Sequence, residues 1–404
     1  MAAKRRMRRI RTAGTRRTLA AFALALLPAL LVPKAAAFQV LPRISDVDRK
    51  LAGVGGHRIV DSIGQWVIVN AVPLIKSPVH EAITLDALDC HAPAGAEASC
   101  VTVDEVRLHQ ILLYGVRWPD DPPFALSRTA PPRIAGCDPD VTLRSTAQPK
   151  CWQGMFADAE RTAAQRARQQ PGQAAFGPGD YLLYRSHFGD LAFFHAMGSY
   201  DGEPARDTVA HMRMWAQFLW GVATQRIPVD RYLRTVDANG LGAYFPGDMT
   251  ATNLFATGIV EVRARLDEVA LGVLLHMVQD SFSHAHTERA LETGAACAAI
   301  PRFAQPGKIA RFYSYALQDE RLHNREDTFG ALAAQTLQTR PNVVDVTSAF
   351  LALYREKASW PEAEKYFDCV FALQDPGAPA GPGPYVDTGA PRPGDALPDY
   401  EGGS

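Results

Sequence analysis

Apolar residues recur at helical spacing in several segments, and Pro- and Gly-rich stretches separate those segments. Residues 77–88 enter a helix through Ser77-Pro78, with His80 in its first turn. Residues 103–116 place Leu108, Ile111 and Leu112 on one face, and the prolines of Trp118-Pro-Asp-Asp-Pro-Pro123 end that helix. Further helices are predicted over 207–225, 343–358 and 362–373. Residues 250–282 read as one long central helix, apolar enough from Val269 onward to be buried. No series of strands alternates with these helices as a parallel sheet requires, so the fold class is mainly α, a single multi-helix bundle.

The remaining segments carry weaker patterns. Residues 38–50 show little periodicity, and 51–75 read as an early helix or a surface hairpin. Residues 124–180 are rich in Pro, Gly and Ala, with helical spacing only over 157–169, and are expected to form an insertion or lid. Residues 374–404 hold few apolar side chains among many Pro and Gly and are expected to be a disordered tail. The folded domain is therefore placed at 38–373.

The beginning of the chain changes the picture of where the protein works. Eight Lys and Arg residues between Lys4 and Arg17 precede an apolar run from Leu19 to Val32, and Ala35-Ala-Ala37 offers a small-residue cleavage site. Residues 1–37 thus read as a secretory signal peptide, predicting an exported protein, periplasmic or secreted, with no transmembrane segment after cleavage. Arg16-Arg17 matches a twin-arginine signal in part. Cleavage removes nine basic residues and no acidic ones, which takes the formal charge from −1 to −10. That balance disfavours a nucleic-acid partner. Six cysteines in an exported chain suggest three disulfides among fifteen pairings. Loop closure favours Cys90–Cys100 and Cys137–Cys151, leaving Cys297–Cys369, and no Cys-x-x-Cys is present for a thiolate zinc site.

Candidate chemistry is densest where the central helix ends. His276, Asp280, His284 and His286 fall within eleven residues, and His276 and Asp280 share a helical face. Imidazole and carboxylate are ligands suited to zinc, and a buried Asp needs a partner of this kind. His323 and Asp327 repeat the four-residue spacing, Asp120 and Asp121 stand in a stiff turn, and His187 and His195 are eight apart.

Taken in order, His80, Trp118-x-Asp120, His187-Phe188, His276-x-x-x-Asp280-x-x-x-x-x-His286 and His323-x-x-x-Asp327 resemble the zinc-dependent phospholipase C and single-strand nuclease superfamily, nearer the bacterial phospholipases C. The matches span residues 77–330. The resemblance implies an all-helical fold and two or three zinc ions. One would take Asp120, His187, His276 and Asp280. A second would take His286, His323 and Asp327. A third would share Asp280 with His80 and the mature amino terminus. Here the chain departs from the family, because Phe38 stands more than forty residues before His80. His284 competes with His286, although the spacing favours His286. His195 is unassigned and reads as a partner behind a ligand, a packing residue or a substrate contact.

The implied activity is phospholipase C cleavage of phosphatidylcholine-like lipid at a membrane surface. Zinc ions in such a cluster clamp the phosphate oxygens and lower the pKa of a water, which Asp120 orients or deprotonates. Tyr181, Tyr184, Phe193, Phe194 and Tyr200 are either core residues or a receptor for the choline cation. The alternatives are a nuclease or nucleotidase on the same scaffold, for which no basic track is evident, and a catalytically idle structural zinc protein.

Overall fold

The computed structural model describes residues 79–88, 109–291, 294–338 and 340–388. The leader, Phe38, Cys90 and Cys100 lie outside these residues, as do positions 389–404. The described chain is mainly α-helical, with one two-stranded sheet.

Helix α8 (Leu266–Asp280) is the axis of the fold. Every residue from Val269 to Asp280 is buried, because the segment is apolar on all sides and other elements surround it. Its first turn carries Asp267 and Glu268, whose charges favour a helix amino terminus. Against it pack α2 (Gln110–Arg117) and α5 (Ala205–Ala223), with α1 (Val79–Ala87) and α11 (Val343–Arg355) beside them. The α2–α8 crossing is backbone on backbone. A Cβ on Gly272 would meet Leu112 O at 2.4 Å and Val116 N at 2.6 Å, and one on Gly115 would meet Val269 O at 2.3 Å. This crossing sets the position of the turn after α2.

The expected helix over 250–282 is two helices. Helix α7 (Ala251–Ala256) is capped by the Thr250 hydroxyl, which accepts from Asn253 N, and ends before Gly258 at φ +72°. A loop then leads into α8. Periodicity continues across this break because Ile259 and Val262 are also buried, so the pattern alone does not reveal it.

Residues 124–180 are more than a lid. Helix α3 (Pro149–Gln169) starts well before residue 157 and buries Cys151, Trp152, Met155, Phe156, Ala159 and Ala163. With Phe188, Met197, Tyr313 and Tyr315 they form a second apolar core. The Cys137–Cys151 disulfide holds the amino end of α3, with the two Cα atoms 4.7 Å apart. The second disulfide, Cys297–Cys369, joins the loop after strand β1 (Thr287–Arg289) to α12 (Trp360–Val370). Strand β1 pairs antiparallel with β2 (Ile309–Phe312), with a bulge between Glu288 and Arg289.

Residues 376–388, expected to be a disordered tail, lie along the domain as a strap. Ala205 N donates to Ala378 O, Ala380 N to Glu203 O, and Ser314 N to Gly381 O at 2.8–2.9 Å. Backbone pairing of this kind needs no apolar side chains, and Ala378 and Ala380 bury what small ones there are.

Candidate metal centre

Helix α8 delivers His276 and Asp280 one turn apart on a face that is fully buried. The chain then turns sharply, with Ser283 N donating to Asp280 O and His286 N to Ser283 O, and this turn brings the His286 ring back inward. Helix α1 supplies His80, the turn after α2 supplies Asp120, α4 (Leu182–Phe188) supplies His187, and the 3-10 turn Ala192–His195 supplies His195. Helix α9 (Glu320–Glu326) carries His323, and Asp327 follows it. Asp319 fixes the start of α9 by accepting from Arg321 N and Leu322 N.

These side chains gather into three close groups. His80, His276 and Asp280 form one, Asp120, His195 and His276 a second, and His286, His323 and Asp327 a third, with ligand atoms in each group within 4.8 Å of one another. Asp280 is shared. Its Oδ1 stands 3.2 Å from His80 Nε2, and its Oδ2 stands 2.9 Å from both His276 Nε2 and His195 Nδ1. Asp120 Oδ1 lies 3.6 Å from His276 Nε2. His323 Nε2 lies 3.2 Å from His286 Nε2 and 3.3 Å from Asp327 Oδ2.

The outward nitrogens explain which atoms face in. His276 Nδ1 donates to Val116 O at 2.7 Å, His286 Nδ1 to His195 O at 2.6 Å, and His187 Nδ1 to Leu183 O at 3.1 Å. His80 Nδ1 donates to Gln279 Oε1, whose amide nitrogen in turn donates to Thr84. His323 Nδ1 donates to Gln318 Oε1, whose amide nitrogen is fixed by Ala285 O and Pro382 O. With Nδ1 as the donor in these contacts, each ring has its Nε2 lone pair available inward, the tautomer a metal ligand needs.

The electrostatics agree for His276, His286 and His187, whereas at His80 burial is outweighed by Asp280 and the pKa is raised. Burial holds His276 down to about 3 and His286 to about 4, against the opposing pull of Asp280. Burial also lowers His187 well below its ordinary value. It works against the Asp280 carboxylate too, but His276, His286 and His195 outweigh it and keep that group well below the usual range. Burial, with Asp280 and Asp327 close by, pushes Asp120 well above it. The ion pairs of Asp120, Asp280 and Asp327 among the described residues are all with histidine. Among the described residues, buried Asp120 Oδ1, Asp327 Oδ2 and His187 Nε2 have no hydrogen-bond partner. Three buried carboxylates and a set of inward lone pairs, with no Lys or Arg among them, suit divalent cations.

Compared with models of known families, with curated proteins and with solved structures, the chain shows no significant match.

The residues singled out from the sequence fall into place unequally. His80, Asp120, His276, Asp280, His286, His323 and Asp327 are brought together. His187 is outside the three close groups but lines a cleft beside them, with Asp120, His195, Met197, His286, Tyr315 and His323. His284 is not brought in. Its side chain is about half exposed and pairs with Glu326 at 3.5 Å, because the turn after Asp280 directs it outward. Of the acidic pair in the Trp118–Pro123 turn, Asp120 faces inward while Asp121 accepts from Ser145 N and Oγ.

The aromatic residues considered for choline do not line this cleft. Phe193 and Phe194 are fully buried in the main core, the latter stacked on Trp215. Tyr184 donates to Asp158, and Tyr181 OH accepts from Ser127 N. Tyr200 faces a separate depression beside Asp201. The aromatic in the cleft is Tyr315, stacked on Phe188 and 4.5 Å from the His323 ring. Sequence reasoning missed Tyr315, Gln279 and Gln318, because their roles depend on which ligand each one meets across the fold.

Proposed function

We propose that the protein is an exported zinc-dependent phospholipase C that hydrolyses the glycerol-side phosphodiester bond of phosphatidylcholine-like lipids. Its helical scaffold would be that of the zinc-dependent phospholipases C and single-strand nucleases. The observation that carries this reading is the gathering of buried histidine and aspartate side chains into three close groups beside a cleft that Asp120, His187, His195, His286 and His323 line.

Two or three zinc ions there would supply Lewis acidity toward the phosphate oxygens and a lowered pKa for the attacking water. Asp120, His187, His276 and Asp280 would hold one ion (the first centre), His286, His323 and Asp327 a second (the second centre), and His80, sharing Asp280, a third. The Asp120 carboxyl, whose proton affinity is raised by burial, orients the water and accepts its proton. The water oxygen bonds to phosphorus as the bond from phosphorus to the glycerol oxygen breaks, and the accepted proton leaves with the glycerol hydroxyl. Tyr315 and Met197 form the less polar wall and limit water in the cleft.

The test is phosphocholine release from phosphatidylcholine vesicles by the purified protein, with and without a zinc chelator, beside a single-stranded DNA control. Chelator-sensitive release with intact DNA is the expected result. DNA loss without lipid turnover would replace this reading with a nuclease, and silence on both with metal bound would replace it with a structural zinc protein.

A further inference from the structure

The strap at 376–388 crosses two segments of the fold. On the first, shortly after the 3-10 turn, Gly202 N donates to Ala380 O, Ala380 N to Glu203 O and Ala205 N to Ala378 O. On the second, which leads into α9, Ser314 N donates to Gly381 O, Asp387 N to Leu317 O and Asp319 N to Tyr385 O. The approach is close at both. A Cβ on Gly198 would meet the Ala380 Cβ at 2.6 Å, and one on Gly383 would meet the Tyr313 ring at 2.4 Å. Packing this tight leaves the strap two arrangements, seated or released. Its side chains add little to the seated one: Ala378 and Ala380 are buried, whereas Pro379, Pro384 and Val386 are exposed. A segment held by backbone bonds with few apolar contacts opens at low free-energy cost. Pro376, Pro379, Pro382 and Pro384 restrict the released chain, so reseating loses little entropy.

One side chain joins the strap to the second group of histidines. Gln318 Nε2 donates to Pro382 O at 3.2 Å and to Ala285 O at 3.0 Å, while its Oε1 accepts from His323 Nδ1 at 2.7 Å. On the far side of the His323 ring, Nε2 stands 3.2 Å from His286 Nε2, and His286 Nδ1 donates to His195 O. With both Nδ1 atoms as donors, two lone pairs face each other across that gap. A cation between them removes the repulsion. Without one a ring has to turn, and turning His323 breaks its bond to Gln318 and loosens the hold on Pro382. The Tyr385 hydroxyl, which hydrogen-bonds Glu326 beside Asp327, is a second link from the strap to this group.

We infer that the strap is a metal-responsive latch: a divalent cation among His286, His323 and Asp327 and the seating of residues 376–388 stabilise each other through Gln318. The latch presupposes the metal centre described above and is independent of the substrate. Linkage makes the effect reciprocal, so the factor by which the ion holds the strap is the factor by which the strap holds the ion. The partner that orients a metal-bound histidine is worth about 10–100-fold in affinity, which sets the size expected here. Loss of the ion frees the strap, and loss of the strap weakens the ion's hold.

The test is amide hydrogen exchange of the full chain, followed by mass spectrometry on peptides covering 376–388 and, as an internal reference, 209–222 of α5. Protein saturated with Zn2+ is compared with chelator-treated protein, and metal content is measured on the same samples. The expected result is strap exchange at least about 10-fold faster after chelation, with α5 unchanged. His323→Ala should exchange fast even in Zn2+, whereas His80→Ala, which removes a ring from another group, should keep a strap that Zn2+ slows. Gln318→Glu retains an acceptor for His323 but offers no donor to Pro382 O. It should keep the ion while the strap's response falls below about 3-fold. Circular dichroism shows that each variant is folded. Equal strap exchange in loaded and chelated protein would overturn the inference. So would a parallel loss of protection in α5, which is loosening of the whole fold, and so would a full response in Gln318→Glu, which would exclude the route through that side chain. Unmodified protein that binds no Zn2+ would remove the metal-centre reading and the latch with it.

Discussion

Asp280 Oδ1 faces His80 at 3.2 Å while its Oδ2 faces His276 at 2.9 Å, so one carboxylate sits between ligand groups from two helices. Asp280→Asn keeps the shape and removes the charge both groups share. We expect this variant to lose more than one equivalent of metal per chain. His323→Ala, which touches only the group with His286 and Asp327, should lose one. Elemental analysis after gel filtration distinguishes the two.

Gly272 governs the first centre from a distance. A methyl group there meets the backbone of α2 and forces the helices apart, and α2 carries both the Val116 carbonyl that orients His276 and the turn bearing Asp120. Gly272→Ala should cost about 1–3 kcal/mol of stability by overpacking. It should also weaken first-centre binding, which a denaturant curve and a metal titration on the same sample would show together.

Arg289 is half-buried against the Phe282 ring and makes its hydrogen bonds to Ser281 O and Oγ, Gly307 O and Val370 O. Burial, opposed only weakly by Tyr366, lowers its pKa to about 9. Arg289→Met leaves those carbonyls unsatisfied, which costs about 1–3 kcal/mol. A shift of the urea midpoint at unchanged slope is the expected readout.

The metal-free protein should weaken in acid. His276 and His286 titrate at about 3 and 4 in the native state, below an ordinary histidine. Between about pH 6.5 and pH 4 the unfolded chain therefore binds more protons, so stability is full above that window and falls as pH drops through it, by up to about 1.4 kcal/mol per unit for each histidine. Urea midpoints of chelated protein at pH 7.5 and pH 5 test the sign. A higher midpoint at pH 5 would contradict it.

His284 supplies the control. Its hydrogen bond to Glu326 raises its pKa, so the pair is present below the ordinary histidine range and fades as pH rises through the raised value. His284→Ala should leave metal content unchanged, whereas His286→Ala should lose the ion of the second group. Proton NMR of the ring should give a midpoint above 6.5 for His284 that Glu326→Gln brings down.

The helical class and most of the clustered His and Asp residues were legible in the sequence because helices repeat. His276 and Asp280, and His323 and Asp327, share a face at four-residue spacing, and the face is visible in one dimension. Helix α8 was legible as a buried segment for the same reason. Where turns decide, the pattern is silent. Nothing in Ser283-His-Ala-His286 says which histidine the turn brings inward, and the break at Gly258 is hidden among buried residues. Tyr315, Gln318 and the strap at 376–388 were illegible because their contacts are made across the fold and largely through backbone atoms.

The strap also gives assembly a direction in time. Gln318 orients His323, and Gln318 is itself held by Pro382 O and paired with Val386, while Asp319 N, at the start of the same helix, donates to Tyr385 O. A ribosome that has finished His323 and Asp327 has not yet made the residues that hold them in place. The side chains of this group are synthesised early, but their geometry waits for residues 382–386 to emerge, so a nascent chain has little chance of trapping an ion there before the fold around it is complete.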